Sequence, residues 1–217
     1  MREVRIRVGD GEVTASVQGE GGTALVLGHG AGGDRRTAFL VRLGEALAAG
    51  GRATVLYNFP YTEAGRRAPD PPARLEATAA AAADFARTSL GARRVVAGGK
   101  SMGGRIASQA VAAGAPADGL VFLGYPLHPP GRFETLRDRH LGAIAIPMLF
   151  VQGTRDAFAR EDLLERVLAR LGPLATRHRV EGGDHSFAVP RSQKRSPADV
   201  EREIVSVVED WLVRQGL

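Results

Sequence analysis

The sequence predicts a doubly wound α/β fold: a mostly parallel sheet with helices on both faces, an N-terminal antiparallel hairpin and no cap domain. Three observations predict it. Short, continuously apolar runs alternate with longer segments of helical periodicity, the pattern of strands buried on both faces. Four of the helical segments each stop at glycine: Gly50, Gly91, Gly114 and Gly172. The opening residues differ, with apolar and polar positions alternating on either side of Gly9-Asp10-Gly11, the signature of a tight hairpin.

Taken in order, residues 4–8 and 13–17 form the hairpin strands. Residues 24–27 are a buried strand ending in a glycine-rich turn. A helix over 36–49 leads to a strand at 53–57, and a helix over 74–90 leads to a strand at 95–97. A helix over 102–113 is followed by a strand at 119–123. Between 123 and 147 there is room for one short helix, placed at 133–140, and not for a lid. A strand at 147–151, a helix over 160–171 and a strand at 176–180 come next. The helix over 198–212 closes the chain, with Ile204, Val207, Val208, Trp211 and Leu212 on one face. No linker divides the sequence, so residues 1–217 are expected to form one domain. In such sheets chemistry sits at the carboxyl ends of the strands.

Composition narrows that chemistry. The chain has no cysteine, which excludes a disulfide framework, a cysteine-ligated metal site and a thiol nucleophile. Its net charge is +5, but lysine occurs only at Lys100 and Lys194, and the arginines are scattered from Arg2 to Arg214. Phosphate-binding surfaces cluster their charge, so no nucleic-acid partner is expected. The N-terminal segment is interrupted by charges, and no window reaches the ~18 apolar residues of a membrane span. A soluble cytoplasmic protein with no membrane partner is the expectation.

The strand at 95–97 runs into Gly98-Gly99-Lys100-Ser101-Met102-Gly103-Gly104 and then a helix. Gly99 to Gly103 matches G-x-S-x-G, a sharp strand-to-helix turn that presents a serine at a helix N-terminus. The flanking glycines avoid collision across the turn, and the helix end favours developing negative charge. Two overlapping patterns fail. A phosphate-binding loop ending at Gly99-Lys100-Ser101 needs glycine where Arg94 stands. The G-x-G-x-x-G over Gly28 to Gly33 lacks an acidic residue after the next strand, where Asn58-Phe59-Pro60 follows. That glycine loop is better used as an oxyanion hole, with the backbone N–H groups of Ala31 and Met102 as donors.

A serine nucleophile needs a base and an orienting acid. Five histidines are available. His29 lies in the glycine loop and is expected to brace it. His128 and His140 precede the strand at 147–151. His178 lies in a polar strand and is expected to face solvent. His185 follows the last strand, on a loop able to aim an imidazole at Ser101. Asp156 follows the strand at 147–151; its competitor Asp184 adjoins His185 and is read as a loop brace. Ser101, Asp156 and His185 thus occur in the order Ser…Asp…His, each at a strand end. No metal or cofactor is called for. Phe59, Tyr61, Tyr125, Leu127, Phe158 and Phe187 sit in strand-end loops and are candidates to line an apolar substrate pocket. Lys100 and Arg105 are expected in structural ion pairs. Arg66 and Arg67 are expected on a solvated loop, the alternative being that they draw a carboxylate or phosphate group to the mouth of the site.

On these residues the chain resembles the small capless α/β-hydrolases of the dienelactone-hydrolase-like group. More narrowly, Gly98 to Arg105, Gly124-Tyr125-Pro126-Leu127 and Phe150 to Asp156 resemble the branch of NSL-complex subunit 3 and the testis-expressed hydrolase-like proteins. The resemblance implies an α/β-hydrolase fold with Ser101, Asp156 and His185 in the triad positions. Dienelactone hydrolases proper use a cysteine nucleophile, so their substrate does not carry over. The expected function is a serine hydrolase acting on a small or medium ester-type molecule. The alternative is an interaction protein built on the same fold, as some members of the narrower branch are chromatin-complex subunits.

Overall fold

The computed structural model describes residues 1–217. Its eight strands are β1 (Arg2–Val8), β2 (Gly11–Gln18), β3 (Thr23–Gly28), β4 (Ala53–Tyr57), β5 (Arg94–Lys100), β6 (Gly119–Leu123), β7 (Met148–Gly153) and β8 (Ala175–Val180). They form one sheet in the order β1-β2-β4-β3-β5-β6-β7-β8. β1 and β2 pair antiparallel, as do β2 and β4. All pairings from β4 through β8 are parallel.

The helices are α1 (Ala38–Ala49), α2 (Pro60–Glu63), α3 (Pro72–Thr88), α4 (Met102–Ala112), α5 (Glu161–Leu171) and α6 (Pro197–Gln215). Successive residues of a strand point to opposite faces, and the core follows that period. Leu25 and Leu27 of β3 pack with Leu40 and Leu47 of α1 and Ile204, Val208 and Trp211 of α6. Ala24 and Val26 point the other way, against Ala79, Ala82 and Ala83 of α3 and Ile106 of α4. Farther along the sheet, Leu120, Phe122 and Phe150 pack with Leu164 and Val167 of α5. The alanine run of α3 lies close against its neighbours, with Ala82 fully buried. Prolines at the first turns of α3 and α6 start those helices without losing an intrahelical bond. Ser196 and Asp199 close a reciprocal cap on α6.

Two placements differ from expectation. The short helix expected over 133–140 is instead a 3-10 turn at Arg139–Ala143. Its only buried residue is Leu141, and the segment before it follows loop bonds such as Arg137 N–H to the Leu127 carbonyl at 2.8 Å. Second, His178 is half-buried and faces Glu203 of α6 at 2.6 Å. The edge strand is covered there by the last helix. No helix is long and apolar enough to cross a membrane.

Candidate active site

β5 and α4 meet at Ser101, whose backbone is held at φ 51° and ψ −115°. That conformation is strained for a residue with a Cβ, by about 1–3 kcal/mol. Glycines make the turn possible. Gly99 has φ 143°, and a Cβ there would strike the Gly28 backbone of β3. A Cβ on Gly103 would strike the Gly28 carbonyl, and one on Gly98 the Val121 carbonyl. The turn is therefore pressed into the sheet from both neighbouring strands, and Ser101 N–H donates to the Leu123 carbonyl at 3.1 Å.

The structure brings Ser101, His185 and Asp156 together. His185 Nε2 lies 2.8 Å from Ser101 Oγ, and His185 Nδ1 lies 2.7 Å from Asp156 Oδ2. The Asp156 carboxylate is fully buried, whereas the imidazole is 22% exposed. A buried carboxylate needs donors. It has three: His185, Gln152 Nε2 at 2.6 Å and Phe158 N–H at 2.8 Å. The loops of Asp156 and His185 are also tied by backbone bonds, with Arg155 N–H donating to the Gly183 carbonyl and Thr154 N–H to the Val180 carbonyl. Asp184 points away from the imidazole, and its Oδ1 accepts from the N–H groups of Ser186 and Ala188.

Lys100, beside the serine, donates from Nζ to the His185 carbonyl at 2.6 Å and lies 5.3 Å from the centre of the Phe187 ring. Burial lowers its pKa to about 8, against the opposing pull of Asp156 and Asp184. Neither Lys100 nor Arg105 makes an ion pair, contrary to expectation; Lys100 spends its donor on a backbone carbonyl, and Arg105 donates to Gln109 Oε1.

A cleft of about 500 Å³ opens over Ser101 and His185. Gly30, Ala31, Met102, Pro126 and Phe158 are among its walls. The N–H groups of Ala31 and Met102 donate to no protein acceptor. The glycine loop is held from behind by buried His29, whose Nδ1 lies 2.8 Å from the Gly30 carbonyl and whose Nε2 accepts from Phe59 N–H at 3.3 Å. Burial lowers the His29 pKa and favours the neutral ring that this acceptor role requires.

Of the aromatic and apolar residues expected around a substrate, only Phe158 lines the cleft, its ring 4.3 Å from the imidazole. Tyr125, Leu127 and Phe187 are core residues. Tyr125 and Leu127 pack with Phe122, Phe150 and α5, and the Tyr125 hydroxyl donates to the Arg137 carbonyl. Phe187, at φ 65°, turns inward onto Phe39 and Lys100. Phe59 and Tyr61 are likewise buried, around His29. Arg66 pairs with buried Asp70 at 2.5 Å, and Arg67 is exposed. Sequence reasoning missed Gln152. Its signal was a lone polar side chain in the otherwise apolar strand Met148–Gly153, which had to find partners.

Solved structures share this architecture at low identity. A dienelactone hydrolase from Anabaena variabilis superposes with a TM-score of 0.77 at 19% identity, over 98% of this chain and 97% of that one. A lidless α/β serine hydrolase from Xanthomonas campestris gives 0.76 at 17% identity, over 98% and 94%. An esterase from Pyrococcus furiosus gives 0.75 at 15% identity, over 98% and 90%. The sequence pattern of the alpha/beta hydrolase domain matches residues 21–213. With the serine turn between β5 and α4 and the parallel sheet around it, the chain belongs to the alpha/beta hydrolase domain family.

Proposed function

We propose that the protein is a serine-dependent acyl hydrolase acting on a small or medium ester. The observation that carries this reading is the unbroken chain Ser101 Oγ, His185, Asp156, with contacts of 2.8 and 2.7 Å. Ser101 Oγ attacks the ester carbonyl carbon as its proton passes to His185 Nε2. The N–H groups of Ala31 and Met102 bind the oxyanion; losing one such donor costs about 3–4 kcal/mol of barrier. His185 then gives the proton to the departing alcohol. Water attacks the acyl-serine, loses a proton to His185 and releases the acid, and the proton returns to Ser101. Asp156 fixes the imidazole tautomer and stabilises its charged form.

The esterase and hydrolase names of the structural neighbours fit this chemistry. Within the family, we propose kinship with the NSL-complex subunit 3 branch, which the Gly98 to Arg105 segment resembles. A cysteine-free chain fits a cytoplasmic setting. A fluorophosphonate probe tests the enzyme against a non-catalytic interaction protein. Wild type should be labelled and Ser101→Ala should not. An unlabelled wild type rejects the enzyme, and a labelled Ser101→Ala rejects this nucleophile.

A further inference from the structure

Seven arginines are buried or half-buried: Arg35, Arg52, Arg87, Arg105, Arg137, Arg177 and Arg195. Five of them have a carboxylate within 4 Å, on Glu3, Glu209, Asp118, Glu161 and Glu203 respectively. Arg105 and Arg137 have none, and both line the cleft that holds Ser101 and His185. They reach it from different elements. Arg105 lies on the first turn of α4, four residues after the serine, and Arg137 lies in the segment between β6 and β7.

Their protein contacts leave guanidinium donors free. Arg105 makes one side-chain bond, from Nη1 to Gln109 Oε1 at 2.9 Å, and its buried Nε has no partner. Arg137 makes one long bond, from Nη1 to the Pro126 carbonyl at 3.4 Å. The two cations also repel: after burial, Arg137 is the next largest influence lowering the Arg105 pKa. Glu76 and Tyr125 pull the other way on Arg105, but half-buried positive charges that face one cavity with no carboxylate in contact are costly. A bound anion removes that cost, and guanidinium groups match the planar, two-oxygen geometry of a carboxylate.

Resting on the serine-hydrolase reading, we infer that the cleft takes esters that carry a free carboxylate, seated between Arg105 and Arg137 while the ester carbonyl meets Ser101. The remaining walls suit a short hydrocarbon spacer, since Pro69, Pro126 and Phe158 line the same cleft. The substrate class is therefore the monoester of a dicarboxylic acid, or an ester of similar length with its acid on the alcohol side.

The test has a binding arm and a kinetic arm. Ser101→Ala protein is titrated calorimetrically with monomethyl adipate and with dimethyl adipate. The monoanion should bind at least tenfold more tightly, and adding Arg137→Gln should remove most of that preference, since it removes the charged donor. In the kinetic arm, kcat/KM is compared for mono-4-nitrophenyl adipate and 4-nitrophenyl hexanoate. The ratio should favour the anionic ester in wild type and fall about tenfold or more in Arg137→Gln. Arg105→Gln is run in parallel, with thermal melts to check folding, and Arg137→Gln keeps the test decisive if Arg105→Gln does not fold. Equal binding of the two adipates, or a preference that survives Arg137→Gln, overturns the inference. Absent hydrolysis of both esters with anion-selective binding intact rejects the serine-hydrolase reading and leaves the carboxylate subsite standing.

Discussion

Gln152 Nε2 donates at 2.6 Å to the same Asp156 oxygen that faces His185, while Gln152 Oε1 accepts from Tyr125 N–H at 2.8 Å. One fully buried amide thus connects the acid after β7 to the exit of β6. Gln152→Leu strips a donor from a buried carboxylate and orphans a buried N–H. The expected loss is about 1–3 kcal/mol for each unpaired group. Urea unfolding should show a lower midpoint, and kcat should fall as Asp156 loses its setting. A variant with the wild-type midpoint would contradict this role.

Asp156→Asn keeps the size of the side chain but not the charge that holds His185. The fold should survive, with an unchanged circular dichroism spectrum, while kcat drops on the order of 10³–10⁴-fold. On the proposed mechanism the three groups act as one unit, so Asp156→Asn added to Ser101→Ala should cost little more than Ser101→Ala alone. Steady-state rates on a 4-nitrophenyl ester decide both points.

Glycine at position 99 is required twice over, by its φ of 143° and by the Gly28 backbone it faces. Gly99→Ala should lower stability by more than about 2 kcal/mol, or prevent folding. Gly142→Ala is the matched control, since nothing lies within 4 Å of a Cβ there. Its melting temperature should stay within a degree or two of wild type. Comparable losses in the two variants would refute the crowding argument.

The Lys100 pKa falls from 10.5 to about 8 mainly through burial. Between those values the unfolded chain binds more protons than the folded one, so this group's contribution to stability rises with pH across that window. Below pH 8 the charge must be held buried, and the penalty is complete. Relative to Lys100→Met, wild type should therefore gain up to ~3 kcal/mol between neutral pH and pH 10.5. Paired denaturant titrations at both ends of the window measure the difference. A flat difference would show that the lysine is not desolvated as its surroundings imply.

What could be read from the sequence followed from local necessity. The strained turn at Ser101 needs Gly99 and Gly103 in place, so the motif is visible in a five-residue window. Strand-end positions for Asp156 and His185 follow from apolar runs that the sheet must bury. Side-chain direction within loops has no such period. Tyr125, Leu127 and Phe187 could not be sorted from Phe158 by spacing, and only packing on Phe122, Phe150 and Phe39 turns them inward. The same holds for charge. Lys100 next to Ser101 suggests an ion pair, yet its partner is a carbonyl 85 residues away. Arg105 and Arg137 lie 32 positions apart and meet only because α4 and the β6–β7 segment share one rim.

The strand order has a consequence for assembly. Ser101 and His185 are separated by 84 residues, and between them the sheet must place β6 and β7 in register before β8 can deliver the imidazole. Non-local parallel pairing is slow to form, because loop closure precedes any reward from contact. A nascent chain that has closed only β1 to β5 holds the Ser101 turn without the His185 imidazole. On the proposed mechanism, fluorophosphonate reactivity doubles as a folding sensor: a pulse-labelling time course should lag behind helix formation seen by circular dichroism and report the moment the far edge of the sheet locks.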